Sequence, residues 1–62
     1  MKRYYLLKLS PCGNNQVLNE IELGSYAEAV EFFNKYNSLA LNAHGYVKYG
    51  EISYCIATQY PN

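Results

Sequence analysis

Residues 46–58 read YVKYGEISYCIAT, two segments of alternating character separated by Gly50 and Glu51. Glycine at the first position of a two-residue connection suits a type II′ turn, whose twist matches that of the flanking strands. The stretch therefore predicts a hairpin with strands at about 45–49 and 52–58, and the rest of the fold can be built outward from it.

The register of this hairpin assigns its side chains to two faces, because alternate residues of a strand point to opposite sides of a sheet. With the turn at Gly50 and Glu51, Tyr46 pairs with Cys55 across the ladder. We expect one face to form the core: Val47, Tyr49, Ile52, Tyr54 and Ile56. The opposite face carries His44, Tyr46, Lys48, Ser53, Cys55 and Ala57.

An earlier hairpin is predicted at about residues 3–9 and 16–23, joined by a loop at 10–15 rich in turn-forming residues. Alternation in the two strands places one set of side chains in the core: Tyr5, Leu7, Leu9, Val17, Ile21 and Leu23. It places the other set on the far side of the sheet: Tyr4, Leu6, Lys8, Leu18, Glu20 and Glu22.

A helix is predicted at about 26–40, between the two hairpins. Ser25 and Glu28 have the spacing of a capping box, which satisfies amides at a helix N-terminus. Helical projection gives an apolar stripe of Tyr26, Ala29, Val30, Phe33, Tyr36 and Ala40. Phe32 lies at the edge of this stripe, so we expect it to be partly exposed.

The predicted order is ββαββ. The fold class is therefore α+β, a two-layer sandwich in which one helix packs on one face of a four-stranded, mainly antiparallel sheet. With 62 residues the chain has room for a single domain, 1–62, and one small core.

A single helix covers only one side of such a sheet, so the other side is the predicted binding surface. Its candidate binding residues are Tyr4, Leu6, Lys8, Leu18, Tyr46 and Lys48, with Phe32 as a further anchor. Three interpretations stay open: tyrosine-rich strands that tolerate water, a homodimer that buries the face, or a different protein or ligand docked on it.

Composition narrows the function classes. Five Lys and Arg balance five Glu, so the basic excess typical of nucleic-acid binding is missing, which argues against nucleic acid as a partner. No apolar run is long enough to span a membrane and no export signal is present, so we expect a cytoplasmic protein in which Cys12 and Cys55 are reduced.

Motifs for catalysis, metals or cofactors are not found. His44 is the only histidine, and it forms no closely spaced pair with Cys12 or Cys55 of the kind that zinc requires. The glycines stand singly at turns and helix boundaries, unlike a phosphate-binding loop. We therefore expect no enzyme activity, no metal and no cofactor.

In size and layout the chain is similar to small phage or mobile-element inhibitors such as anti-CRISPR proteins, since it is a solitary domain rich in Asn and Tyr without a catalytic set. This resemblance concerns architecture only. The prediction is a protein-binding module, an inhibitor or adaptor, acting through its tyrosine-rich sheet face or as a homodimer. The alternative is a nucleotide sponge or single-stranded nucleic-acid binder, with bases stacked on the same tyrosines.

Overall fold

The computed structural model describes residues 1–13 and 15–60, and within them it contains one sheet and one helix. The elements are β1 (Lys2–Leu9), β2 (Asn15–Leu23), α1 (Tyr26–Asn37), β3 (Tyr46–Tyr49) and β4 (Ile52–Ala57). The four strands form one antiparallel sheet in the order β2-β1-β4-β3. The predicted ββαββ order and α+β fold are confirmed. Asn14 of the predicted loop, and residues 61 and 62 of the predicted domain, lie outside the described residues.

The β3–β4 hairpin has the predicted register, with Tyr46 opposite Cys55 and Tyr49 opposite Ile52. Gly50 has a φ of 63°, and Ser38 is the one non-glycine residue with positive φ in the described part of the chain. A positive φ at Gly50 but not at Glu51 is what a type II′ turn requires. The local sequence alone therefore specified this hairpin.

The β1–β2 hairpin contains a β-bulge that the sequence pattern did not indicate. Leu6 lies opposite Asn19, whereas Leu7 lies opposite Val17, so Leu18 is an extra residue on β2. A bulge moves the residues beyond it to the other face of the sheet. The prediction that Val17 shares a face with Ile21 is therefore wrong.

The two faces of β1 are the reverse of those predicted. Tyr4 is 3% exposed and Leu6 is fully buried, and both belong to the core cluster that contains Phe33 of the helix. Because both faces of β1 are apolar over this stretch, alternation could not choose between them. The pairing of β1 with β4 determines which face of β1 lies against the helix, because it places Leu6 opposite Ile56.

Helix α1 begins as predicted, since the Ser25 hydroxyl accepts a hydrogen bond from the Glu28 amide at 3.3 Å. It ends at Asn37 instead of residue 40. Ser38 adopts a left-handed conformation with φ 54°, and its amide donates to the Asn34 carbonyl. This cap turns the chain back over the core.

The early helix end changes which residues the core contains. Leu41 is 6% exposed and belongs to the core cluster, whereas Ala40 is exposed. Tyr36, predicted to lie in the buried stripe, is 67% exposed. In the described residues there is no helix with the length and apolar character needed to cross a membrane.

Candidate binding surface

We call the side of the sheet opposite α1 the open face, because no helix covers it in the part of the chain that the structure describes. Strand pairing decides its membership, since residues directly opposite each other point to the same side. It carries Arg3, Tyr5, Leu7, Leu9, Val17, Glu20, Glu22, Tyr46, Lys48, Ser53, Cys55 and Ala57.

An apolar row crosses the middle of the open face. Val17 lies opposite Leu7, Leu7 opposite Cys55, and Cys55 opposite Tyr46, so the row passes through all four strands. Antiparallel sheets with one side in water usually carry polar side chains on that side. Apolar residues in this position indicate a surface suited to contact with another molecule.

Tyrosine rings stand at the exposed parts of this face. Tyr5 packs edge-on against Tyr60, with ring centroids 5.4 Å apart and planes at 89°. Tyr60 is 62% exposed and Tyr46 is 42% exposed. The Tyr46 hydroxyl lies 3.3 Å from the Ser53 hydroxyl. Such rings offer apolar area with a polar tip, the combination favoured at interfaces that stay partly wet.

One corner of the open face is acidic. Arg3 lies between two carboxylates, donating to Glu20 at 2.8 Å and to Glu22 at 2.9 Å. The hydrogen bond to Glu20, followed by the charge of Glu22, raises the pKa of the Arg3 guanidinium. All three side chains are about half exposed, so these ion pairs add little to stability. Two negative charges against one positive leave this acidic corner with a net charge of −1.

Lys48 lies at the diagonally opposite corner. It pairs with Ser53 on edge strand β3, whereas the acidic corner includes edge strand β2. Along the strands, Lys48 lies beyond the apolar row on one side, and Glu20 and Glu22 lie beyond it on the other. The open face therefore combines an apolar centre with charges of opposite sign at two opposite corners.

The chemistry of Cys55 does not favour nucleophilic catalysis. Burial raises the pKa of the Cys55 thiol, which lowers the fraction of reactive thiolate at neutral pH.

Across residues 1–13 and 15–60, His, Cys, Asp and Glu side chains nowhere form a group of three that could hold a metal ion.

Tyr46 and Lys48, two of the predicted binding residues, lie on the open face as expected. Leu18 is the bulge residue of β2 and is 36% exposed. Phe32 is half-buried on α1, in agreement with its predicted partial exposure, and stacks on Tyr36 with centroids 5.5 Å apart. Since α1 lies on the covered side of the sheet, Phe32 and the open face belong to different surfaces.

The other three predicted binding residues are not on the open face. Tyr4 and Leu6 are buried beneath α1 and are not available to a partner. Lys8 lies opposite Tyr54, a side chain packed against the core, so Lys8 points to the helix side. All three errors have one cause, the reversed faces of β1.

Sequence reasoning missed several open-face residues: Tyr5, Leu7, Leu9, Val17 and Tyr60. Alternation in the sequence predicts Tyr5, Leu7 and Leu9 in the core, which is wrong. Tyr60 lies beyond β4 in a segment without alternation, so no periodic signal could have placed it. The pairing of β1 with β4 would have found the first three, but the sequence does not encode that pairing locally.

Comparison with known proteins finds no family model, no curated protein and no solved structure that matches this chain. The chemistry of the open face is therefore the guide to function.

Proposed function

We propose that this chain is a non-enzymatic protein-binding domain, acting as an inhibitor or adaptor, and that the open face is its binding surface. The observation that supports this is the apolar row from Val17 to Tyr46, which crosses every strand on the side without a helix. A protein partner with a flat apolar patch and a polar rim would match this surface.

The binding energy would come mainly from the exposed tyrosines. Leu7 is only 8% exposed, so a partner buries little more of it. Tyr46 and Tyr60 keep much of their ring area in water. Burying a large apolar side chain contributes about 1.5–3 kcal/mol, and tyrosine is enriched among the residues that dominate interfaces. Tyr46 and Tyr60 are therefore the proposed anchors.

The charges of the open face favour protein over nucleic acid. Arg3 is already held by two carboxylates, which leaves Lys48 as the cation available to a phosphate among the described residues of the open face. Tyr4, one of two predicted stacking rings, is 3% exposed. Nucleic-acid affinity depends chiefly on cations that neutralise phosphates. The nucleotide or single-strand binder is therefore the weaker candidate.

Affinity capture with two matched variants tests the proposal. Tagged wild type, Tyr46→Glu and Tyr36→Glu are each used to capture proteins from a lysate of the cells that express the chain. An untagged copy of the chain is added to each lysate, so that self-association is detected as well. Tyr36 is the control because it is an exposed tyrosine on the helix, at 67% exposure. Circular dichroism confirms that each variant is folded.

We expect wild type and Tyr36→Glu to retain the same protein, whether another copy or a different chain, and Tyr46→Glu to lose it. Equal retention by all three variants, or no protein retained by any of them, would overturn the proposal. Salt-sensitive binding of single-stranded RNA in place of protein would instead support the nucleic-acid alternative.

A further inference from the structure

The two charged corners of the open face make it complementary to itself. The acidic corner, formed by Glu20 and Glu22 around Arg3, has a net charge of −1, and Lys48 carries the opposite charge at the far corner. A two-fold axis brings the same surface patch of two copies together. A contact between Lys48 of one copy and the acidic corner of the other therefore occurs twice. Opposite charges at opposite corners can therefore pair in both halves of one interface.

From this arrangement we infer that the partner of the open face is a second copy of this chain, stacked face to face with strands crossing near right angles. The inference rests on one part of the proposed function, protein binding by the open face, and identifies the protein that is bound there. Orthogonal stacking is one of the two usual arrangements of packed sheets. The two-fold axis then lies in the plane between the two sheets, along the other diagonal of the open face. This diagonal separates the two charged corners, so rotation about it exchanges them.

Sheet geometry supports this diagonal axis. Strands lie about 4.8 Å apart and alternate residues of a strand about 6.8 Å apart, which defines a grid of side chains on the open face. A rotation of 180° about the diagonal that separates the charged corners brings Lys48 of one copy between Glu20 and Glu22 of the other. An axis parallel to the strands would place Lys48 over the Asn15 end of β2 instead, leaving the charges unpaired.

The same rotation pairs the apolar side chains. Tyr46 of one copy lies over Tyr5 and Arg3 of the second copy, and Leu7, which is already largely shielded, lies near the axis. These are contacts between apolar groups and between an aromatic ring and a cation, both favourable. None of these contacts places an apolar side chain opposite an unpaired charge.

The size of the surface predicts a reversible dimer. Each side chain occupies about 33 Å² on this grid, so the twelve named side chains of the open face cover roughly 400 Å² per copy. Stable interfaces usually bury about 800 Å² per partner, so we expect weak association that depends on protein concentration. The net charge of the chain is zero, so two copies do not repel each other overall.

Charge reversal provides the test. Lys48→Glu makes both corners negative, and Glu22→Lys makes both positive, since the acidic corner then has two cations and one carboxylate. We expect wild type to reach twice its 7.1 kDa mass in sedimentation equilibrium as concentration rises. Each single variant should dissociate at least about tenfold more readily, and an equimolar mixture of the two variants should restore the dimer.

Tyr36→Glu is the control on the helix surface and should leave the dimer unchanged. A dimer that survives both charge reversals, or a mixture that stays monomeric, would overturn the inference. If wild type is monomeric at every concentration while Tyr46→Glu abolishes capture of a different protein, the inference fails and the proposed function stands. If wild type is monomeric and Tyr46→Glu changes no capture, both fail.

Discussion

The phenol hydroxyl of Tyr26 fills the space beside Gly45 in which any side chain at position 45 would have to lie. The same hydroxyl donates a hydrogen bond of 2.7 Å to the His44 carbonyl. Gly45 is buried, has a φ of 72°, and its carbonyl accepts a 3.0 Å hydrogen bond from the Ile56 amide. This contact joins the first turn of α1 to the segment that leads into β3.

Gly45→Ala should therefore destabilise the fold by about 2–4 kcal/mol. The positive φ costs a residue with a Cβ roughly 1 kcal/mol or more, and the clash with Tyr26 adds an overpacking cost of about 1–3 kcal/mol. Urea denaturation followed by circular dichroism measures the loss.

Gly50→Ala is the matched control for Gly45→Ala. Gly50 also has a positive φ, at 63°, but an added Cβ would have no atom within 4 Å. We expect a loss of about 1–2 kcal/mol from backbone strain alone, with no clash added to it. Adding Tyr26→Phe to Gly45→Ala should relieve part of the clash. Equal losses for the two alanine variants would show that the contact with Tyr26 is not the cause.

Ser38→Gly should stabilise the protein by about 0.5–1 kcal/mol. Ser38 caps α1 in the left-handed region with φ 54°, where glycine avoids the steric cost that other residues incur. Ser38→Ala keeps that cost and should leave the thermal midpoint nearly unchanged. A thermal midpoint that falls for Ser38→Gly would contradict this account of the helix end.

Asn34→Ala should cost about 2–3 kcal/mol. The Asn34 side chain accepts a hydrogen bond from the Leu41 amide at 2.7 Å and donates one to the Leu41 carbonyl at 3.3 Å. Truncation leaves both partly buried backbone groups of Leu41 without this partner. It therefore releases the segment that carries the buried Leu41 side chain.

Asn37→Ala is the control for Asn34, on the same helix. Its amide donates a single hydrogen bond of 3.2 Å to the Phe33 carbonyl, one helical turn earlier. Alanine has the higher helix propensity, so the net change should stay within about 0.5 kcal/mol. Coincident denaturation midpoints for Asn34→Ala and Asn37→Ala would argue against the role of Asn34 in holding the backbone of Leu41.

Alkaline pH should destabilise the fold. Burial raises the pKa of Tyr26 above its ordinary 10.0 and that of Cys55 above its ordinary 9.0. Below those ordinary values both groups are protonated whether the chain is folded or unfolded, so the free energy of unfolding keeps its full value. As pH rises through and above them the unfolded chain loses protons first, and the free energy of unfolding falls.

Urea denaturation at pH 7 and at about pH 10.5 measures this effect. Ionised Tyr26 also loses the hydrogen that it donates to His44. Tyr26→Phe should therefore be less stable at neutral pH but lose less on going to high pH than wild type does. A wild-type unfolding free energy that stays constant up to pH 10.5 would show that neither group is coupled to folding.

Local signals were sufficient where one short segment contains all of the information. The β3–β4 hairpin needed a glycine at the turn and alternation on both sides, and Tyr46 met Cys55 as predicted. The start of α1 needed Ser25 and Glu28 at capping-box spacing. These features depend on contacts between residues close in sequence, which periodicity and turn chemistry report directly.

The candidate binding surface was predicted only in part. Tyr46 and Lys48 were placed correctly because their strand had a register fixed by its turn. Tyr4 and Leu6 were placed on the wrong side because both faces of β1 are apolar. The bulge at Leu18 then moved Val17 to the open face, and nothing in the alternation of β2 indicates where an extra residue would be inserted.

By itself the sequence determined the class of fold, the order of the elements, the capping serine at the start of α1, and the register of the second hairpin. Only the tertiary structure decided which side of β1 faces the helix, where α1 ends, and hence which residues form the open face. For β1 the physical reason is its pairing with β4, which buries Leu6 opposite Ile56. Contacts between residues so far apart in sequence depend on how the whole core packs, and a two-residue period cannot report them.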